Sequence, residues 1–271
     1  MGVLFSEAGI KNAVSQKRFR ICLQPQIALK NGRVEGAEAV ARFYSDDGKI
    51  VFQENYIRGM EVKQSVYLLD LYTLREVCGI LREWRESGRG LIFVSVKFSR
   101  YTMEMQGITD RLALIQEEYR DVISWITIEV TESYQGQDWT GFMQNCWSFC
   151  RMGFSLSIDR YGSAWSDNRL LSEPWFDEVR IDRKLVERID SRAMDYLQVK
   201  VLADFCKKQN RRLVAEGVEN REQYMTLKRL GCDRVQGAYT GAFAERSRFE
   251  ETYPGRTVSE TGEHDYCSLA K

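Results

Sequence analysis

Short apolar runs alternate with longer amphipathic stretches along the chain. The runs at 20–29 (RICLQPQIAL), 33–43, 91–97 (LIFVSVK), 125–131 (WITIEVT), 154–159 (FSLSID), 175–181 (WFDEVRI) and 212–216 (RLVAE), with a shorter piece near 233–236, predict strands. Between them, 65–86, 101–119, 137–151, 191–209 and 220–230 repeat apolar residues at three- and four-residue spacing and predict helices. About eight strand–helix steps over ~250 residues suit one closed α/β barrel of the TIM type better than two doubly wound halves. Only three prolines occur, and no low-complexity linker interrupts the pattern. The chain therefore reads as one barrel domain over 15–246, with a lead-in over 1–14. The polar tail over 247–271 carries Pro254 and Gly255 and is expected to fray.

Composition narrows the function classes. With 271 residues and 44% hydrophobic content, there is ample material for a packed core. Lys plus Arg and Asp plus Glu both number 39, so no net charge draws the chain to a nucleic-acid polymer or an anionic membrane. Any anionic ligand must be held by local charge. Seven cysteines lie scattered without a Cys-x-x-Cys pair, and the single histidine is His264, which argues against zinc and against a disulfide framework. No run approaches the ~18 apolar residues of a membrane span, and no charged-then-apolar signal opens the chain. Reduced thiols and a cytoplasmic location are the expectation.

Polar residues at the carboxyl ends of barrel strands converge on one face. Glu38, Lys97, Glu129, Asp159, Arg180, Glu216 and Gln236 occupy such places in the predicted strands. An unpaired carboxylate inside a protein costs several kcal/mol or gives up its charge, so four acids from four strands require partners. Divalent cations would serve, because they take carboxylate oxygens and activate water for phosphoester hydrolysis. Lysine and arginine would serve without any metal.

The motifs LQPQI, GAEAVARF, VSVKFS, IEVTES, SIDRYGS, VRIDR, LVAEGVE and LGCDRVQG follow one another in an order and spacing that resembles EAL domains, the cyclic-di-GMP phosphodiesterases. The resemblance covers about 15–246 and implies a modified TIM (β/α)8 barrel whose first strand runs antiparallel to the others. Active members hold two Mg²⁺ or Mn²⁺ ions and open cyclic-di-GMP to linear pGpG. Carried over residue by residue, Glu38, Glu129 and Asp159 match metal ligands, and Glu216 matches the glutamate near the hydrolytic water. Gln24, Val40, Arg42, Asp182, Glu219 and Gln236 match positions around the ligand. Glu132 matches the glutamate that supports the loop after the Asp-Asp strand.

Four departures stand out. Val40 replaces the leucine of the Glu-Ala-Leu motif, Lys97 the metal-binding asparagine, Arg160 the second aspartate of Asp-Asp-Phe-Gly, and Arg180 the catalytic lysine. Lys97 and Arg160 put cations without a free lone pair where oxygen ligands are needed. The expectation is that these two replace the lost metals; the alternative is that Arg160 turns outward, since neighbouring strand residues point to opposite faces, and merely ceases to be a ligand, which removes the second metal as well. At ~4 Å and an effective dielectric near 20, each cation–carboxylate contact is worth roughly 4 kcal/mol before desolvation. The loop after Gly162 also departs, with Ala164 and Trp165 in altered positions. The resulting expectation is a catalytically inactive receptor that binds cyclic-di-GMP without a cofactor. The alternatives are a protein-interaction module that has lost the nucleotide, or a weak phosphodiesterase using Mg²⁺ or Mn²⁺. The resemblance leaves a homodimer and an unidentified protein partner open, and the stretch before LQPQ resembles a segment joining an EAL domain to an upstream regulatory domain.

Overall fold

The computed structural model describes residues 6–45, 47–51, 56–131, 138–162 and 168–253. Glu132, Ala164, Trp165, Pro254, Gly255 and His264 lie outside the described residues. The strands are β1 (Phe19–Ala28), β2 (Val34–Tyr44), β3 (Ile50–Val51), β4 (Phe93–Ser99), β5 (Ile126–Thr131), β6 (Ser155–Tyr161), β7 (Glu178–Ile181), β8 (Arg212–Glu216), β9 (Arg234–Gln236) and β10 (Ala244–Glu245). The helices are α1 (Glu7–Ser15), α2 (Ile57–Val62), α3 (Val66–Glu86), α4 (Arg100–Glu104), α5 (Ile108–Glu118), α6 (Trp139–Arg151), α7 (Arg183–Glu187), α8 (Ala193–Lys208), α9 (Arg221–Leu230) and α10 (Arg246–Thr252).

Eight of the strands close into a barrel in the order β1, β9, β8, β7, β6, β5, β4, β2, with β2 pairing back onto β1. β1 runs antiparallel to both of its barrel neighbours, and the other barrel pairs are parallel. β3 and β10 add short antiparallel extensions to β2 and β1. The predicted barrel with an inverted first strand is therefore the observed architecture. Apolar residues of the strands pack outward against the helices, as with Val94, Ile128, Leu156 and Val179, all fully or almost fully buried. No helix among the described residues is long and apolar enough to cross a membrane.

Several elements differ from their predicted extents for local reasons. The helix expected over 101–119 is two helices, because Gly107 takes a left-handed φ of 76° and restarts the chain as α5. The run at 175–181 is a strand only from Glu178; Phe176 is buried ahead of it without being part of the ladder. The lead-in contains α1, capped by Ser6 accepting from the Gly9 N–H, with Ile10 and Ala13 in the core. The tail begins as α10, where Phe249 is fully buried and stacks on Trp84 with ring centroids 6.4 Å apart.

Candidate functional site

Alternation along the strands aims every second side chain into the barrel. At the carboxyl ends this brings Glu38 of β2, Lys97 of β4, Glu129 of β5, Asp159 of β6, Arg180 of β7, Glu216 of β8 and Gln236 of β9 together. Ser95, Thr127 and Ser157, two residues earlier on β4, β5 and β6, are buried and small, leaving the axis to the two long cations. Gly217, at φ 74°, turns the chain sharply just past Glu216.

Lys97 is the centre of the cluster. Its Nζ lies 2.9 Å from Glu129 Oε2, 3.3 Å from Glu38 Oε1, 3.3 Å from Asp159 Oδ2 and 4.0 Å from Glu216 Oε1. Arg180 threads the same acids from below. Its guanidinium reaches Glu129 Oε1 at 2.5 Å, Glu38 Oε2 at 3.0 Å and Glu216 Oε1 at 2.6 Å, while its Nε is 3.9 Å from Asp159 Oδ1. Gln236 donates to Glu38 Oε2 at 2.5 Å.

Burial opposes the charge of both cations, yet the surrounding carboxylates hold Lys97 and Arg180 well above their ordinary pKa values. With two cations for four carboxylates, the acids do not all share one state. Burial pushes Glu129 up to about 8 against the pull of Arg180 and Lys97, and raises Asp159 as well. Glu216 is also penalised by burial, but Arg180 and Lys97 outweigh that and bring it down to about 2.

The oxygens of Glu38, Glu129 and Glu216 lie within 4.8 Å of one another, a spacing compatible with a cation site. As arranged here the donor set does not fit a divalent ion. Mg²⁺ and its relatives require about six oxygens at ~2.0–2.6 Å. Both oxygens of Glu38 and both of Glu129 already face nitrogen of Lys97 or Arg180, and the Lys97 ammonium takes the space between the acids.

Of the two geometries expected for Arg160, the outward one is closer to what is found: it stays out of the centre of the acid cluster and reaches only its edge, with Nε 3.9 Å from Asp159 Oδ2. The β6–β7 register shifts between Ile158 and Tyr161, Arg160 takes a φ of 52°, and its side chain is 60% exposed at the rim. The cation that joins Lys97 is Arg180, which carries both its own position and the counter-ion work expected of Arg160.

Other expected residues divide between the mouth and local structure. Gln24 is half-buried and donates to the Gly241 carbonyl at 2.9 Å. Arg42 is half-buried, with its guanidinium 5.1 Å from the Phe243 ring centroid and no carboxylate within salt-bridge distance among the described residues. Val40 is buried and lines a cavity of about 220 Å³ beside the mouth. Asp182 caps α7, accepting from the Lys184 N–H at 2.8 Å. Glu219 pairs with Arg183 at 3.3 Å on the outside.

Sequence reasoning missed Glu178 and Gln26. Glu178 is 1% exposed beneath Arg180, its Oε1 3.9 Å from Nη1, and Gln26 donates to Gln236 Oε1 at 3.0 Å. Both stand two residues from recognised positions on the same strand face, Arg180 and Gln24, and period-two alternation was the available signal. Asp70 of α3 was missed as well. It is buried at the cavity wall, accepts from the Ser99 N–H and the Thr102 hydroxyl, and burial raises its pKa to about 7.

Comparison with known proteins agrees with this fold. The chain is 26% identical over 233 residues to the oxygen sensor protein DosP of Escherichia coli, an alignment covering 86% of this chain and 29% of DosP. It is 26% identical to the bifunctional diguanylate cyclase/cyclic di-GMP phosphodiesterase MucR of Pseudomonas aeruginosa, over 86% of this chain and 34% of MucR. The chain thus spans about a third of the length of these relatives. A structure of the MucR phosphodiesterase in complex with cyclic-di-GMP superposes with a TM-score of 0.80 at 24% identity, covering 89% of this chain and 98% of that one. The FimX EAL domain of Xanthomonas citri, also in complex with cyclic-di-GMP, gives 0.78 at 16% identity, covering 87% and 92%. The family model for the EAL domain matches residues 7–242, and the chain belongs to the EAL domain family.

Proposed function

We propose that this chain is a metal-independent receptor for cyclic-di-GMP, without phosphodiesterase turnover. One observation carries the reading: the Lys97 ammonium is seated among Glu38, Glu129, Asp159 and Glu216, where hydrolysis would need a metal ion and its activated water. Glu216 is equally occupied, accepting from Arg180 Nε at 2.6 Å, and is far too acidic to serve as a base near neutral pH.

Recognition of the ligand is a separate matter from cleavage. Related EAL domains have been solved with cyclic-di-GMP bound. Arg42 offers a guanidinium at the mouth, a group whose planar fork suits phosphate oxygens. Gln24 offers amide chemistry near it, and the adjacent cavity offers an apolar wall of Val40, Val66 and Leu69. These features support binding of a dianionic dinucleotide by arginine, amide and apolar contact.

A second reading is a protein-contact module that has lost the nucleotide. It is favoured by α8, where Met194, Leu197 and Val201 are 57%, 49% and 61% exposed on the face turned away from the core.

Isothermal titration with cyclic-di-GMP, in Mg²⁺ and again in chelator, tests the proposal. Equal heats in both conditions, with no pGpG on a chromatogram, are expected. Absence of heat favours the contact module. Metal-dependent pGpG overturns both readings in favour of a phosphodiesterase.

A further inference from the structure

Arg160 holds a backbone conformation that its side chain disfavours. Its φ of 52° lies in the left-handed region, and Gly162 follows at 92°. The register shift between Ile158 and Tyr161 makes this a local bulge in β6, a device that re-aims side chains beside functional sites. Strict alternation would put Arg160 on the outer face of β6, opposite Asp159. Instead the side chain stands 60% exposed and lines, with Lys97, Val40, Leu69, Asp70 and Thr131, the cavity of about 220 Å³ beside the mouth.

The guanidinium has little to hold. Among the described residues the one carboxylate within 4.0 Å is that of Asp159, with Oδ2 3.9 Å from Nε, and that oxygen already accepts from Lys97; the Arg160 charge also lowers the Glu216 pKa from farther off. Asp70 on the cavity wall accepts from the Ser99 N–H and the Thr102 hydroxyl, both through Oδ2, and no salt bridge to Arg160 is formed among the described residues. The cavity is smaller than the ~300–1,000 Å³ of pockets that enclose a whole small ligand, so it receives one arm of a larger molecule. A strained residue with unused donors at the entrance to such a space is a binding group by geometry.

We propose that Arg160 binds a phosphate group of the ligand directly, at the cavity entrance. This rests on the receptor reading above and gives that site a residue outside the positions matched to ligand contacts. The place where the family carries a metal-binding aspartate would then hold the anion itself, through a charge-assisted fork.

Calorimetry on the full chain with cyclic-di-GMP in chelator tests this. R160A and R160G are each expected to weaken binding by about tenfold or more, and R160K to recover part of it, since an ammonium keeps the charge and loses the fork. Melting of R160G at or above the parent temperature shows that its loss is not loss of fold, because glycine accepts the left-handed φ freely. Parent-like affinity in R160A overturns the proposal. Should the parent give no heat, the receptor reading fails on its own, and inorganic pyrophosphate becomes the probe. Pyrophosphate heat abolished by R160A supports the phosphate-binding role; absent heat, or heat indifferent to R160A, overturns it.

Discussion

Lys97 and Glu129 are direct neighbours in the register of β4 and β5, and the lysine Nζ lies 2.9 Å from Glu129 Oε2. The contact couples two strands at the level where the family would use metal. Glu129 is fully buried, so this ammonium and the Arg180 guanidinium are what make its ionised form tolerable at all.

Removing one internal cation strands buried carboxylates. K97M is expected to lower unfolding stability by roughly 3–5 kcal/mol in urea titrations. Measured above pH 8, where Glu129 is ionised, the K97M/E129Q double variant should cost less than the sum of its parts, because the neutral amide no longer needs the ammonium. Strict additivity in the cycle would show that the pair is energetically irrelevant.

Opening the acid cluster to a divalent ion requires both internal cations to change. Mn²⁺ binding, followed by electron paramagnetic resonance, is expected for K97N/R180K, where the shorter amide and the slimmer ammonium release oxygens of Glu38, Glu129 and Glu216. The K97N/R160D variant should remain without tight Mn²⁺ binding, since Arg180 still holds those three acids. Tight binding in K97N/R160D would identify the rim residue as the true block.

Asp70 gives the fold a pH dependence of definite sign. Burial raises its carboxyl from 3.8 to about 7, although the Thr102 hydroxyl and Ser99 N–H act in the opposite direction. The folded state therefore keeps a proton that the unfolded chain has lost. Its contribution is full below about pH 4, declines as pH rises, and is gone above about 7, a span worth roughly 4 kcal/mol. Glu129, raised to about 8 by burial, acts in the same direction. D70N keeps an amide oxygen for Ser99 and Thr102, so urea unfolding at pH 5 and pH 8 should differ clearly less for D70N than for the parent. Equal differences would remove Asp70 from the account.

The helix past residue 245 is integral to the barrel's outer layer. Phe249 is fully buried against Trp84 and Tyr253, and the Trp84 indole donates to Glu250 at 2.6 Å. F249A is expected to cost roughly 3–5 kcal/mol, the range for emptying an aromatic core position. A lowered urea-unfolding midpoint, followed by tryptophan emission, would report it; an unchanged midpoint would place α10 outside the cooperative unit.

Residue pattern alone was enough for the barrel, because strand and helix periods are local properties that survive without knowledge of neighbours. FSLSID and RLVAE carry strand patterns and form strands; the stretch 101–119 carries one helical pattern yet forms two helices, since the left-handed turn at Gly107 leaves only a weak trace in an apolar repeat. The polar residues at strand ends were legible for the same reason, and their order along the chain carried the family resemblance. Glu178 and Gln26 escaped because a single charge or amide in a strand reads as surface until the barrel closes around it.

The fold class, the inverted first strand through the family motifs, and most of the acids and bases at the barrel mouth follow from the chain's own pattern of residues. Which cations neutralise those acids was decided only by the folded chain. Arg160 and Arg180 are the same residue type at strand ends; alternation puts Arg160 out of phase with inward Asp159 and Arg180 in phase with inward Glu178, but where each guanidinium ends depends on the register of its strand. A one-residue register shift in β6 sets Arg160 at the rim of the mouth rather than on the outer face, while unbroken pairing of β7 with β8 aims Arg180 down the axis into three carboxylates. Side-chain direction in a strand follows backbone register with a period of two, and register is fixed by partners that lie far away in sequence.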